Sequence, residues 1–232
     1  MTTVVRRVLP ALIALVVRGQ SPETLLADAD RHRHPWPAFR VDIRLGEGPG
    51  EQRWRVHTRE NGDAWVEGLS EKEKGRSVLV LGDDMWLQLP TARKPVKVSP
   101  QQRLMGPASG GDLARTRFRE DYEPEGERSM EGVDGVPCHR VPLRARRASV
   151  THPRAVLWLT VEGHRPVKAE FSFASGKKAR TVRFEAGDPV LGRPVLRAMV
   201  VEGPQGDRTR LAFSAWAPEA ERSERFTLEG KP

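Results

Sequence analysis

Residues 82–90 read Gly-Asp-Asp-Met-Trp-Leu-Gln-Leu-Pro, and residues 95–100 read Pro-Val-Lys-Val-Ser-Pro. The first stretch predicts a short strand that carries Trp86, Leu87 and Leu89 and stops at a proline, which lacks the N–H that a strand ladder requires. A basic turn follows, and then the second stretch predicts another short strand. We therefore expect two adjacent strands with apolar side chains here.

Outward from this stretch, an alternation of apolar and charged residues dominates the chain. Phe39–Leu45 alternates strictly, which is typical of a strand with one buried face. The same pattern recurs in residues 54–58, 64–69, 78–81, 138–143, 156–161, 167–173, 181–185, 195–201, 208–215 and 225–228. Turn residues separate these runs at hairpin spacing. The pattern predicts about eleven short strands in an antiparallel meander with one face buried from water.

Two segments break the alternation. Ser21 is a suitable N-cap and Pro22 a suitable first residue for a helix that should end by His34-Pro35. Residues 99–122 fit two short helical pieces with glycine hinges. The expected fold is mainly β with α: a half-open antiparallel β-barrel of about eleven strands, with an N-terminal helix and a helical lid insertion.

The amino terminus has the layout of a secretory signal peptide. Arg6 and Arg7 precede an apolar run at residues 8–17, and cleavage before Gln20 is plausible. The run is too short to span a bilayer. A buried helix or a mis-assigned start is the alternative. We expect a signal peptide at residues 1–19, a single domain at residues 20–232 and a periplasmic location.

The charge balance invites a nucleic-acid interpretation, because the formal net charge is +8. However, the basic residues spread along the whole chain and alternate with apolar ones, as in Arg53-Trp54-Arg55-Val56. This pattern favours solvated sheet faces over a nucleic-acid groove. Contact with anionic lipid headgroups remains open.

Catalytic and metal-binding patterns are scarce. His32 and His34 could bind a metal from one strand face, but Arg31 and Arg33 crowd them with positive charge. Asp83-Asp84 fits a turn better than an acid–base pair. The single cysteine, Cys138, excludes an intramolecular disulfide and is expected in the core. No catalytic residue, metal or cofactor is predicted, and the protein is not expected to be an enzyme.

Apolar side chains are the remaining candidates for a site. They could simply pack as a core, but a strongly curved sheet of eight or more strands can also enclose an apolar ligand. The expected cavity residues are Trp54, Trp86, Leu87, Leu89, Phe171, Phe173, Phe184 and Phe213. The expected lid residues are Leu104, Met105 and Leu113, in a glycine- and methionine-containing segment suited to movement.

The run from Met85 to Leu113 resembles the signature of the LolA/LolB-like superfamily of periplasmic outer-membrane lipoprotein-sorting proteins. Residues 157–159, 166–170 and 225–228 also resemble its strands. The resemblance implies a half-open barrel with a helical lid over an apolar cavity. The chain departs from the pattern at Gln88, and residues 104–113 lack the usual aromatics, so the cargo could differ.

The leading hypothesis is a monomeric periplasmic carrier or chaperone for lipid or lipoprotein acyl chains. Such a carrier would interact with a transport partner in the inner or outer membrane and would not bind nucleic acid. The alternative is an envelope sensor or interaction module that partners a membrane exporter or regulator. An enzyme acting on lipids would need a nucleophile or metal that the sequence does not show.

Overall fold

The computed structural model describes residues 20–46, 48–99, 115–220 and 226–227. Within these ranges the chain forms helices α1 (Pro22–Arg31) and α2 (Phe118–Asp121) and fourteen strands. The strands are β1 (Phe39–Leu45), β2 (Gln52–Thr58), β3 (Ala64–Gly68), β4 (Ser77–Leu81), β5 (Asp84–Gln88), β6 (Val96–Lys97), β7 (Tyr122–Pro124), β8 (Ser129–Val133), β9 (Val136–Ala145), β10 (Arg154–Thr160), β11 (Pro166–Ser172), β12 (Lys178–Ala186), β13 (Leu196–Glu202) and β14 (Arg208–Pro218). Short 3₁₀ turns lie at Gly48–Gly50 and Glu71–Glu73.

All the strands belong to one curved, open antiparallel sheet. Its order is β6-β5-β4-β3-β2-β1-β14-β13-β12-β11-β10-β9-β7, and β8 also pairs with β9. Neighbours in the chain are mostly neighbours in the sheet, as expected for a meander. The long-range pair β1–β14, in register from Phe39↔Pro218 to Leu45↔Leu211, joins the two halves of the sheet.

The mainly β prediction is confirmed, but the strand count of about eleven is wrong. Strand β6, of two residues, lies within the short strand expected at residues 95–100, whereas β7 and β8, of three and five residues, were not expected and are too short for a clear alternation. The expected closing strand at residues 225–228 is not formed at the two residues described there, Phe226 and Thr227. The barrel and its helical lid remain predictions.

Helix α1 begins as the sequence predicts. The Ser21 hydroxyl accepts a hydrogen bond from the backbone N–H of Thr24 at 3.3 Å, and Pro22 occupies the first turn. The helix ends at Arg31, and the backbone N–H groups of Arg33 and His34 both donate to the carbonyl oxygen of Asp30. This turn carries the chain into Pro35 and β1.

The side chain of Asp30 connects α1 to α2. Its two carboxylate oxygens accept hydrogen bonds from the backbone N–H groups of Phe118 and Arg119, both at 2.9 Å. These groups would otherwise be unsatisfied at the start of α2. Burial raises the pKa of Asp30 from 3.8 to about 6, although Arg33 and the two N–H groups oppose this effect.

The two helices cover the sheet on one face and over one half of its strands. We define the inner face as the face on which α1 packs. The main core combines α1 and α2 with the inner face of β9–β13, and Leu211 of β14 and Phe39, Val41 and Ile43 of β1 also belong to it. Its largest buried side chains include Leu25, Leu26, Phe118, Tyr122, Leu143, Leu157, Phe171, Leu196 and Met199. The inner face of β1–β5 has no such helix against it among the described residues, and this asymmetry positions the candidate site.

Candidate functional site

An apolar cavity of about 430 Å³ lies against the inner face of β1–β5 and continues to β13 and β14. This volume falls within the usual range for small-molecule sites, about 300–1,000 Å³. Its described lining residues are Arg33, His34, Phe39, Val41, Ile43, Leu45, Gln52, Trp54, Val56, Thr58, Gly62, Ala64, Val66, Glu73, Arg76, Val78, Val80, Met85, Leu87, Leu89, Val98, Arg115, Arg117, Leu196, Met199, Leu211, Phe213 and Trp216.

The strand register explains why the middle of the cavity is apolar. Val41, Val56, Val66, Val78 and Leu87 lie directly opposite one another across β1 to β5. Cross-strand partners share a face of the sheet, so these five side chains form one continuous row. We call this set the central row. It contains no polar side chain.

Two flanking rows follow from the same register. On one side Phe39, Thr58, Ala64, Val80 and Met85 are aligned across the five strands. On the other side Ile43 and Trp54 are aligned with Gly68. Successive rows are two residues apart along each strand, because alternate residues point to opposite faces.

Gly68 leaves room for a turn to approach the sheet. A Cβ atom at this position would lie 2.1 Å from the carbonyl oxygen of Glu73, in the 3₁₀ turn Glu71–Glu73. The turn brings Glu73 to the cavity, where its carboxylate accepts a hydrogen bond from Arg76 at 2.9 Å. Gln52 also lines the cavity at this end, so the Gln52, Glu73 and Arg76 side chains make it polar.

The opposite end of the cavity is rich in arginine. Arg33, Arg115 and Arg117 line it together with His34, beside the β2–β3 turn. Arg117 donates hydrogen bonds to the carbonyl oxygens of Arg59, at 3.1 Å, and Glu60, at 2.6 Å. These bonds tie the segment before α2 to the β2–β3 turn. We call this end, defined by Arg33, Arg115 and Arg117, the arginine end.

Arg33 is buried almost completely. Its guanidinium stacks 4.9 Å from the ring centroid of Phe118 and donates to the carbonyl oxygen of Thr116 at 2.5 Å. Burial lowers the pKa of Arg33 to about 10, an effect that Asp30 opposes. The group nevertheless stays protonated at neutral pH, so the arginine end holds a positive charge in a poorly hydrated place.

His34 lies beside Arg33 in the same wall. Its Nε2 is 3.3 Å from the carbonyl oxygen of Thr116. Burial, together with Arg33 and Arg117, holds the pKa of His34 well below its ordinary value of 6.5. The imidazole is therefore neutral at pH 7 and does not add to the charge of the arginine end.

Four of the eight sequence-predicted cavity residues lie in the cavity wall: Trp54, Leu87, Leu89 and Phe213. The other four do not. Trp86 lies on the outer face, where Lys97 Nζ is 5.5 Å from its ring centroid, because adjacent strand residues point to opposite sides. Phe171 and Phe184 are packed in the main core, and Phe173 lies beyond the end of β11 with 36% of its surface exposed.

Sequence reasoning that favoured large aromatics missed the valines of the central row. The signal was present, because each valine keeps the alternation of its strand. Leu104, Met105 and Leu113, the predicted lid residues, lie outside the described residues, as does the predicted signal peptide at residues 1–19. Contact of any of these residues with a lipid stays a prediction.

No group of three or more His, Cys, Asp and Glu side chains in the described ranges is placed to hold a metal ion. Cys138 is buried on the outer side of the sheet with Val133 and Trp158. Of the helices in the described part of the chain, none is long and apolar enough to cross a membrane.

Comparisons with known proteins agree with this architecture. A protein-family profile described only as "Uncharacterized protein" matches residues 66–229. No curated protein matches the sequence. Among solved structures, a LolA superfamily protein from Nitrosomonas europaea has 29% identity and a TM-score of 0.75, with 88% of this chain and 96% of that chain covered.

Two further structures share the fold at lower identity. A putative outer membrane lipoprotein-sorting protein domain from Vibrio parahaemolyticus has 18% identity and a TM-score of 0.65, with 86% of this chain and 95% of that chain covered. A DUF1329 family protein from Desulfovibrio piger has 17% identity and a TM-score of 0.70, with 88% and 95% covered. With its curved antiparallel sheet and these matches along most of its length, the chain belongs to the LolA superfamily.

Proposed function

We propose that this protein is a non-catalytic periplasmic carrier that binds the acyl chains of lipids or lipoproteins in the cavity of β1–β5. The observation that carries the proposal is the apolar cavity of about 430 Å³, with a central row made of valine and leucine. A superfamily relative described as a putative lipoprotein-sorting domain supports the same role.

The physical basis of binding is hydrophobic burial. Each methylene group moved from water into the cavity contributes about 0.8 kcal/mol. An acyl chain needs no directional contact along its length, which fits walls made of Val41, Val56, Val66, Val78 and Leu87. Carriage therefore requires neither a nucleophile nor a metal.

The contact residues in this proposal differ from the sequence-based set. Trp54, Leu87, Leu89 and Phe213 remain, together with the central row. Phe171 and Phe184 have a structural role instead, because they pack against α2 in the core. The predicted lid residues and the signal peptide at residues 1–19 remain part of the proposal, as do a monomeric state and a membrane transport partner.

The decisive test is lipid occupancy of the purified protein. Native mass spectrometry and lipid extraction of protein from the periplasm should detect an acyl lipid bound to the wild type. The double variant Val56→Phe/Val78→Phe fills the central row and should lose most of that lipid. Ser77→Phe adds the same ring on the opposite face of β4 and serves as the matched control. A wild type that carries no lipid and takes up none would refute the carrier role and favour an interaction module.

A further inference from the structure

We infer that two adjacent loops of the sheet form a docking surface for a membrane that contains anionic phospholipids. These loops are residues 69–76, between β3 and β4, and residues 89–95, between β5 and β6. We call them together the loop end. The inference goes beyond the proposed function, because it concerns the outside of the protein and not the contents of the cavity. Three observations support it: the position of the loops, their unpaired charges and the apolar side chains beside them.

Both loops leave the sheet at the same end. Glu67, Ser77 and Gln88 are aligned across β3, β4 and β5, so the strand ends from which the loops emerge lie side by side. The loops also approach each other closely, because a Cβ atom at Gly75 would lie 3.2 Å from Cγ of Pro90. The two loops therefore form one continuous surface.

Gln88 holds the second loop in place. Its Nε2 donates hydrogen bonds to the carbonyl oxygens of Leu89, at 3.0 Å, and Ala92, at 2.8 Å. The backbone N–H of Ala92 also donates to the carbonyl oxygen of Leu89. These bonds close a turn directly before Arg93 and Lys94. The residue at which the chain departs from the superfamily pattern thus fixes the loop that carries two cations.

The loop end has an excess of positive charge. Its charged residues are Glu71, Lys72, Glu73, Lys74, Arg76, Arg93 and Lys94. Glu73 and Arg76 are paired with each other at 2.9 Å. The four remaining cations are all exposed, and none of them forms an ion pair or a side-chain hydrogen bond in the part of the chain that the structure describes. Only one carboxylate of the two loops, that of Glu71, is left to oppose them.

Unpaired and exposed cations favour an anionic surface as the partner. Each lysine or arginine close to a membrane with anionic lipids strengthens binding about fivefold. Their long side chains can reach lipid phosphates while the backbone stays outside the headgroup layer. Because the four cations of the loop end are not engaged by carboxylates of the protein, their attraction to such a surface is not offset by the loss of an ion pair.

Apolar side chains beside the cations favour a membrane over a nucleic acid. Leu69, at the start of the first loop, is 37% exposed, and Val96, directly after the second loop, is 53% exposed. Such side chains can enter the boundary between headgroups and acyl chains, whereas nucleic-acid binding rests mainly on phosphate contacts. The same loops contribute Glu73, Arg76 and Leu89 to the cavity wall, so a docked membrane would lie beside the cavity.

Binding to vesicles tests the role of charge. The wild-type protein is mixed with vesicles of equal parts phosphatidylglycerol and phosphatidylcholine, and the bound fraction is measured by sedimentation. We expect binding at about 50 mM salt that is at least tenfold weaker at about 500 mM salt. Pure phosphatidylcholine vesicles should also bind at least tenfold more weakly. An absence of binding, or binding that depends on neither lipid charge nor salt, would overturn the inference.

A double variant locates the charge on the molecule. Lys74→Gln/Lys94→Gln removes one unpaired cation from each loop and should weaken binding to the anionic vesicles about twentyfold. Arg119→Gln/Arg193→Gln is the matched control, because it removes the same charge from exposed residues on α2 and between β12 and β13. Its effect should be much smaller. Equal effects of the two double variants would show that net charge alone attracts the membrane and would refute the loop end as the docking surface.

A further variant tests the apolar contact. Val96→Thr replaces one methyl group by a hydroxyl and should weaken binding to the anionic vesicles about fourfold. Val161→Thr, at another exposed valine, should change binding little. A DNA duplex that binds more tightly than the vesicles at the same salt, with no effect of Val96→Thr, would assign the loop end to a nucleic acid and overturn the membrane inference.

The cavity variant Val56→Phe/Val78→Phe separates this inference from the proposed function. We expect it to bind anionic vesicles as the wild type does, although it carries less lipid. If the wild type carries an acyl lipid but does not bind anionic vesicles, the docking inference fails and the carrier function stands. If it binds vesicles through the two loops but carries no lipid, the carrier function fails and the docking inference stands.

Discussion

At the scale of single residues, Leu191 combines a strained backbone conformation with an exposed side chain, so the strain can be measured without a change in buried surface. It lies at the tip of the connection between β12 and β13 with φ +48°, and Gly192 follows with φ +71°. Val190 and Arg193 exchange both backbone hydrogen bonds around them, at 3.0 and 2.9 Å. Asparagine or glycine is preferred at the first position of such a turn, because a leucine Cβ crowds the backbone there.

We therefore expect Leu191→Asn to raise the free energy of unfolding by about 1 kcal/mol. The side chain is 76% exposed, so its loss removes little buried surface. Urea denaturation checks this expectation. Val161→Asn, at another exposed apolar residue but without a positive φ, should bring no such gain. A stability unchanged by Leu191→Asn would show that the turn is not strained.

Glycine at position 68 illustrates a different constraint, the close approach of a turn to a strand. A Cβ at Gly68 would lie 2.1 Å from the carbonyl oxygen of Glu73, a backbone atom that cannot move alone. We expect Gly68→Ala to lower the free energy of unfolding by about 2 kcal/mol, as for other overpacked sites. Gly132→Ala in β8, where a Cβ meets nothing within 4 Å, is the control. Similar effects of the two substitutions in chemical denaturation would contradict this prediction.

At the scale of elements, the contact between α1 and α2 depends on Asp30. Burial raises the pKa of Asp30 to about 6, so the folded protein holds a proton on this carboxyl more tightly than the unfolded chain does. The stabilisation that protonated Asp30 provides is complete below about pH 4 and is lost as the pH rises through about 6. The contact between the two helices thus depends on a carboxyl group whose contribution to the free energy of unfolding changes in mildly acidic solution.

The amide side chain of the variant Asp30→Asn cannot titrate. This variant should therefore lose the pH dependence that Asp30 gives to the free energy of unfolding. We expect the unfolding free energy of the wild type, minus that of Asp30→Asn, to fall between about pH 4 and about pH 6.5 and then to level off. His32, His34 and His139 have lowered pKa values and act in the opposite direction, but they are present in both proteins and cancel. Asp188→Asn, at an exposed aspartate, controls for the loss of one carboxyl. A flat difference across this range would show that Asp30 is not perturbed as described.

At the scale of the whole molecule, the two halves of the sheet are packed differently. The inner face of β9–β13 carries most of the main core with α1 and α2, and β1 borders both this core and the cavity, whereas the inner face of β2–β5 borders the cavity. The buried cluster on β3–β5 is small and consists of Ala64, Val80 and Met85. Local stability follows the density of buried apolar contacts.

Hydrogen exchange should reveal this asymmetry. We expect backbone amides of β10–β12 to exchange more slowly than those of β3–β5, with mass spectrometry of peptides as the readout. Addition of a saturating fatty acid should slow exchange in β2–β5 and leave β10–β12 nearly unchanged, because the ligand adds contacts only on the cavity side. Equal protection of both halves without ligand would contradict the proposed difference in packing.

Much of the fold could be predicted from the sequence, because strand faces are encoded locally. Phe39–Leu45 forms a strand with the bounds that its alternation predicts, and the start of α1 follows from Ser21 and Pro22. The short strands β7 and β8 could not be found this way. They exist through their pairing with β9 rather than through a pattern of their own.

The candidate site was predictable only in part. The sequence by itself determined which side chains share a face, because the alternation of a strand puts Leu87 and Trp86 on opposite sides, although both were predicted to line the cavity. It did not determine which inward side chains are covered. Phe171 and Val56 both belong to alternating strands, yet Phe171 packs against Phe118 of α2 and Val56 borders the cavity. That difference was decided by the tertiary structure, because the bonds from α2 to Asp30 place both helices over β9–β13, and no described helix packs against the inner face of β2–β5.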